Sequence, residues 1–315
     1  MTGKRVLVHS LFLIALPVIV AWYGFSTFTA IVLVFLALLW RLAITLSGFM
    51  LPPKIPQLEL ETIPVSHFAE KVRWSMDRLG VEYTERPRAG IFGVLFSGRT
   101  VPQLKIRTGL VQSVIGNSPE ILRYLYGRYS SPLSNAADFL APSEERLEME
   151  KKIDRYGGQL QVWVYYHILK DRSLALQAWG LKSSSVPAWQ RALLPLMFPV
   201  FRVFLRKIFR ITDEHYAKVI ERIDLLLDEV EGLLDDGRRS ILGGDEVDYV
   251  DISMAAISAL WLQPEEFAAG RAKAVRIDRG QFPIKMGVDV ERWVDRYPLT
   301  AAFVERLYKE ERLLG

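Results

Sequence analysis

The chain has 315 residues, half of them hydrophobic, and 40 Lys and Arg against 36 Asp and Glu give a formal net charge of +4. So mild a positive balance, with no long Lys/Arg block, argues against a nucleic-acid partner. The chain contains no cysteine, which excludes disulfides, thiolate metal sites and a cysteine nucleophile.

Two apolar runs open the chain: Val6 to Tyr23, VLVHSLFLIALPVIVAWY, and Thr29 to Met50, TAIVLVFLALLWRLAITLSGFM. A spanning helix needs about 20 mostly apolar residues. Backbone groups cannot stay unpaired in lipid, so the two runs are expected to form a transmembrane helical hairpin over residues 1–51. Lys4 and Arg5 precede the first run, while Arg41 and Lys54 lie towards the end of the second and beyond it. Positive residues collect on the cytoplasmic side, which predicts a two-span membrane protein whose body faces the cytoplasm.

Pro52, Pro53 and Pro56 then break the pattern. Leu58 to Ile63 alternates apolar and polar residues, as a short strand does. Ser66 to Leu79 reads as a helix with Phe68, Val72, Met76 and Leu79 on one face, ended by Gly80. Val81 to Thr84 suggests a second strand, and Gly90 to Thr100 a loop. Val101 to Ile106 and Leu110 to Ile115 suggest a hairpin around Thr108-Gly109. A helix starts at Ser118.

After Pro142 the pattern is helical almost to the end. Ser143 to Leu169 begins with an acidic first turn, which suits the helix dipole. Tyr216, Val219, Ile220, Ile223, Leu227, Val230 and Leu234 recur at helical spacing. Val250 to Leu262 reads as a buried helix, with Asp248 and Asp251 placed to form a capping box at its start. Pro298 to Leu313 reads as the last helix. The segment Pro187 to Arg210 mixes large apolar residues with Arg191, Arg202, Arg206, Lys207 and Arg210 and holds no acid. It reads either as an amphipathic basic helix of the membrane-interface kind or as a helical excursion packed on the protein. Pro195 and Pro199 are expected to break it.

Four segments in order resemble the cytosolic glutathione transferases. Ser66-His67-Phe68-Ala69-Glu70-Lys71-Val72-Arg73-Trp74 is similar to the first helix of that family. Val101-Pro102-Gln103-Leu104 resembles its cis-proline strand. Gly116-Asn117-Ser118-Pro119-Glu120-Ile121-Leu122-Arg123-Tyr124-Leu125 resembles the segment that holds the glutamyl end of glutathione. Leu242-Gly243-Gly244-Asp245, with Asp248 and Asp251-Ile252, resembles the capping motif of the family's central helix. The resemblance runs from about Pro56 to the C-terminus.

It implies a thioredoxin-like, glutathione-binding α+β domain over residues 52–130. An all-helical C-terminal domain of the glutathione transferase type would follow over residues 131–315. It implies glutathione as co-substrate, with no metal. Ser66 stands where the family places a hydroxyl that hydrogen-bonds the thiol sulfur, although serine is also a preferred N-cap in any helix. The glutathione-binding set it implies is Ser66, His67, Val101, Pro102, Asn117 and Ser118. Asn117 replaces an acidic residue of the family, and so lacks the charge that would pair with the ligand's ammonium.

Trp163, Tyr165, Tyr166 and Trp179 are candidates to line an acceptor pocket. Two functions follow from the resemblance. One is a membrane-anchored transferase that conjugates or reduces an apolar electrophile with glutathione. The other is a non-catalytic binding or assembly subunit of a membrane protein complex. The expected partners are therefore a lipid membrane, glutathione, and an apolar small molecule or membrane protein, and the resemblance also allows a homodimer.

Overall fold

The order of strands and helices follows the sequence pattern closely from residue 57 onward. The computed structural model describes residues 19, 22–23, 26–50, 55–90, 92–93, 101–108 and 111–312. The first expected span, Val6–Tyr23, lies almost wholly outside the described residues, as do Pro52, Pro53 and the hairpin residue Gly109. The second run forms α1, Thr27–Met50. Among the described residues no helix is long and apolar enough to cross a membrane. The two-span, cytoplasm-facing placement is accordingly corrected, and the transmembrane hairpin is not retained. Arg41 is its one charged residue, and Thr27, Thr29, Thr45 and Ser47 carry its hydroxyls. The Thr45 hydroxyl turns back on its own helix and donates to the Arg41 carbonyl at 3.0 Å.

The chain divides into two compact units, Met1–Glu59 with Leu104–Ile115, and Leu60–Gln103 with Gly116–Gly315. Four strands form one sheet: β1 (Gln57–Thr62), β2 (Thr84–Pro87), β3 (Gln103–Thr108) and β4 (Val111–Gly116), in the order β2-β1-β3-β4. In the first unit Lys105 of β3 lies 3.7 Å from Glu59 of β1.

In the second unit, α2 (His67–Arg78) starts at Ser66, whose hydroxyl accepts from the Ala69 N–H at 3.2 Å. It ends at Gly80, whose φ of +63° is open to glycine at little cost. The Gly80 N–H returns to the Asp77 carbonyl and the Val81 N–H to the Met76 carbonyl, both at 3.0 Å. This closing motif satisfies the last carbonyls of the helix. It also uses Val81, so β2 begins at Thr84 and not at Val81.

The expected apolar face of α2 is only part of what it buries. Glu70, Lys71 and Arg73 are buried too, and each has partners, as buried charges require. Glu70 accepts from Arg312 Nε at 2.7 Å and from the Ala268 N–H at 2.9 Å. Lys71 donates to Asp154 at 2.7 Å, and Arg73 Nε to Glu85 at 2.8 Å.

Helix α3 (Ser118–Tyr129) follows β4. Then come α4 (Glu144–Ile168), α5 (Arg172–Ala178), α6 (Ala188–Ile208), α7 (Asp213–Leu234), α8 (Tyr249–Leu262), α9 (Ile284–Arg296) and α10 (Pro298–Glu310). Every residue of α8 is buried, and it packs against α2, α4 and α10. The capping box at its start is present: Asp248 accepts from the Val250 and Asp251 N–H groups while Asp251 accepts from the Asp248 N–H. Gly157 of α4 permits a close approach, since a Cβ there would meet Phe68 Cζ at 2.9 Å and Ile257 Cδ1 at 3.0 Å.

Helix α6 corrects a second expectation, because it runs unbroken through Pro195 and Pro199. A proline at position 199 has no N–H for the carbonyl one turn earlier, that of Pro195. Arg172 Nη2 donates to that carbonyl instead, at 3.1 Å.

Candidate functional site

Ser66, His67, Val101, Pro102, Asn117 and Ser118 all belong to the second unit. Ser66 is partly exposed at the start of α2. As a cap its oxygen accepts a hydrogen bond, which leaves the hydroxyl proton to donate elsewhere. The positive end of the α2 dipole lies at the same place.

His67 is a different kind of residue from the one expected. It is buried, and its ring lies 4.2 Å from the Phe68 ring. Burial pushes its pKa down to about 3, against a hydrogen bond with the Gly157 backbone that raises it and the Lys71 charge that lowers it further. His67 is therefore neutral near pH 7, and it sits in the α2–α4 packing.

The Val101-Pro102 peptide is cis. The Pro102 carbonyl accepts from the Asn117 N–H at 3.2 Å, which brings the proline directly to the start of α3. Asn117 adopts a left-handed φ of 73°, and its side chain makes no cap bond. Its ψ of 134° places it outside the left-handed helical region in which asparagine is most favoured. Ser118 follows in the first turn, only 1% exposed, and its Oγ has no hydrogen-bond partner among the described residues. Helices α2 and α3 pack together, so Ser66 begins one of a packed pair and Ser118 the other.

Of the aromatic residues proposed for an acceptor pocket, Trp163 and Trp179 are core. Trp179 packs on Phe198 at 5.6 Å between ring centres, and Trp163 on Trp293 at 5.0 Å. Tyr166 alone of the four lines a described cavity.

A polar cluster in the helical part went unread in the sequence. Asp289 Oδ2 accepts from Trp163 Nε1 at 2.9 Å, lies 3.3 Å from His167 Nε2 and accepts from the Tyr216 hydroxyl. Burial would raise the Asp289 pKa, but the hydrogen bonds from His167, Tyr216 and Trp163 hold it below the usual carboxylate value. His167 is lowered, chiefly by burial. Trp163 and His167 lie four residues apart on one helix face, which was the available signal. Their acid lies more than a hundred residues away, on α9, and no local pattern points to it. Among the described residues no group of three or more His, Asp or Glu could hold a metal ion.

No protein-family model matches the sequence, and no curated protein matches it. Solved structures do resemble the chain. A glutathione S-transferase from Methylobacillus flagellatus KT with glutathione bound has a TM-score of 0.48 at 12% identity, covering 82% of this chain and 97% of that one. One from Methylobacterium radiotolerans JCM 2831, in complex with glutathione sulfonate, has a TM-score of 0.47 at 16% identity, covering 82% and 92%. A glutathione transferase family member from Pseudomonas fluorescens Pf-5 with two glutathione bound has a TM-score of 0.45 at 15% identity, covering 82% and 91%. At these scores and identities the likeness assigns no family.

Proposed function

We propose that the starts of α2 and α3 form a glutathione site, and that the chain is a glutathione transferase-like protein acting on an apolar electrophile. The Ser118 hydroxyl carries this reading: it is buried in the first turn of α3 with no partner among the described residues. A buried polar group left unpaired costs about 1–3 kcal/mol. A ligand carboxylate would supply the missing acceptor and would also meet the positive end of the helix. Because Ser118 is enclosed, the ligand has to displace the atoms that cover it.

In this reading Ser66 donates its hydroxyl proton to the thiol sulfur and favours the thiolate. Val101 and Pro102 meet the peptide portion, and Asn117 lies near the amino end without a charge to offer it. Binding is then weaker than an acidic residue would give, since hydrogen bonds to charged groups contribute about 1.5–3 kcal/mol against about 1 for neutral ones. The working division is residues 52–130 for glutathione and residues 131–315 for the acceptor side. His67, buried and neutral, takes a structural place in this scheme.

Ser66→Ala tests the chemistry. Glutathione affinity should hold within about threefold, while turnover of an apolar electrophile falls by about 10²-fold or more, the scale of a lost proton-handling group. Unchanged turnover would reduce Ser66 to a cap. A second reading, a binding or assembly module, draws on the neutral Asn117 at the amino end of the site. It predicts glutathione binding without turnover.

A further inference from the structure

A cavity of about 350 Å³ opens where α4 ends, α6 ends and α7 begins. That is within the range of small-molecule sites. Its lining is Tyr166, Leu169, Lys170, Arg206, Ile211, Thr212 and Asp213. None of these belongs to the glutathione set, so the inference stands apart from that reading.

The cavity is both apolar and cationic. Leu169 and Ile211 are buried and give it an apolar wall. Lys170 Nζ lies 3.8 Å from the centre of the Tyr166 ring. Lys285 Nζ approaches from behind, 4.0 Å from the Tyr216 ring, and donates to the Tyr166 hydroxyl at 3.2 Å. Arg206 supplies a third cation.

Among the described residues none of the three forms an ion pair with a carboxylate. The one acid in the lining, Asp213, is already engaged by the Tyr166 hydroxyl. That hydrogen bond, with the fields of Lys170 and Lys285 after burial has opposed them, keeps Asp213 ionised. The second nearby acid, Asp289, is taken by Tyr216, Trp163 and His167. The cations thus outnumber the acids, and both acids are committed.

The wall that carries the charge is rigid. Tyr166 stacks on Tyr216 with ring centres 4.0 Å apart, and both hydroxyls are tied to carboxylates. A pocket with fixed aromatic and aliphatic walls and unpaired cations at its mouth suits one ligand chemistry. We infer that this cavity binds a small organic oxyanion, a carboxylate or phosphate ester on a short apolar body. The headgroup would lie between Lys170 and Arg206, and the body against Leu169 and Ile211.

Calorimetry on the full chain tests this with hexanoate, hexyl phosphate and, as a control of opposite charge, hexylamine. At least one oxyanion should bind saturably and hexylamine should not. The double substitution Lys170→Gln with Arg206→Gln should weaken that binding at least tenfold. Both side chains are exposed, so circular dichroism should show the fold unchanged. Ile211→Trp should block the cavity and abolish the heat while leaving the cations in place. Binding of hexyl phosphate alone would narrow the ligand to phosphate esters, and of hexanoate alone to carboxylates. Equal binding of hexylamine, no heat from either oxyanion, or unchanged affinity in the double variant would overturn the inference.

Discussion

Asp289 shows how much one side chain can organise. It receives Trp163, His167 and Tyr216 from two other helices. Asp289→Ala would leave three buried donors without an acceptor, each costing about 1–3 kcal/mol. Urea unfolding should therefore show a loss of about 3 kcal/mol or more. A loss below about 1 kcal/mol would mean that the donors find other partners. At this scale the sequence was informative only where the relevant neighbours are local. Ser66 as a cap and the Asp248–Asp251 box were readable because their partners lie three residues away. His67 was not, since its burial depends on Gly157 of a distant helix, and Ser118 showed its hydroxyl but not its lack of a partner.

Among the elements, α6 carries the clearest lesson. Two internal prolines argued for a broken segment, yet the helix continues. The tertiary structure supplies the missing donor through Arg172, a residue on α5 that no local rule connects to Pro195. Arg172→Ala should destabilise the protein by about 1 kcal/mol, the contribution of a typical hydrogen bond. That corresponds to a fall in Tm of about 2–4 °C for a domain of this size. An unchanged Tm would show that solvent replaces the guanidinium. Helix α2 makes a related point: its apolar periodicity was legible, but its buried Glu70, Lys71 and Arg73 were not. Their partners lie on β2, on α4 and at Arg312 after the last helix, and charges at helical spacing usually mark a solvated face. For α1 the error ran the other way. Length and mean apolarity suggested a span, but among the described residues no helix is long and apolar enough to cross a membrane.

For the whole molecule, acid should act through the buried histidines. His67 has a folded pKa of about 3 against an ordinary value of 6.5. Between those values the unfolded chain binds the extra proton, so stability falls as pH drops through that window. One proton corresponds to about 1.4 kcal/mol per pH unit. His167 is lowered in the same direction and adds to the slope. His67→Gln should flatten the stability–pH curve between pH 6 and 4.5 by up to about that amount per unit. An unchanged slope would show that His67 is not buried as described.

The order of elements across this molecule was legible because strand alternation, helical periodicity and capping residues are local signals. The pairing of the starts of α2 and α3 in one proposed site rests, in the sequence, only on four weak motifs. We propose that the starts of α2 and α3 bind glutathione, with Ser118 receiving its carboxylate. Titration calorimetry of the full chain with reduced glutathione, beside Ser118→Ala, tests it most directly. The Ser118 hydroxyl has no partner to lose among the described residues, and its removal relieves the about 1–3 kcal/mol cost of a buried unpaired polar group, so the variant should be at least as stable as the parent. The parent should give saturable heat at millimolar glutathione that the variant loses; no heat from the parent, or the same heat from both, would refute the proposed glutathione site.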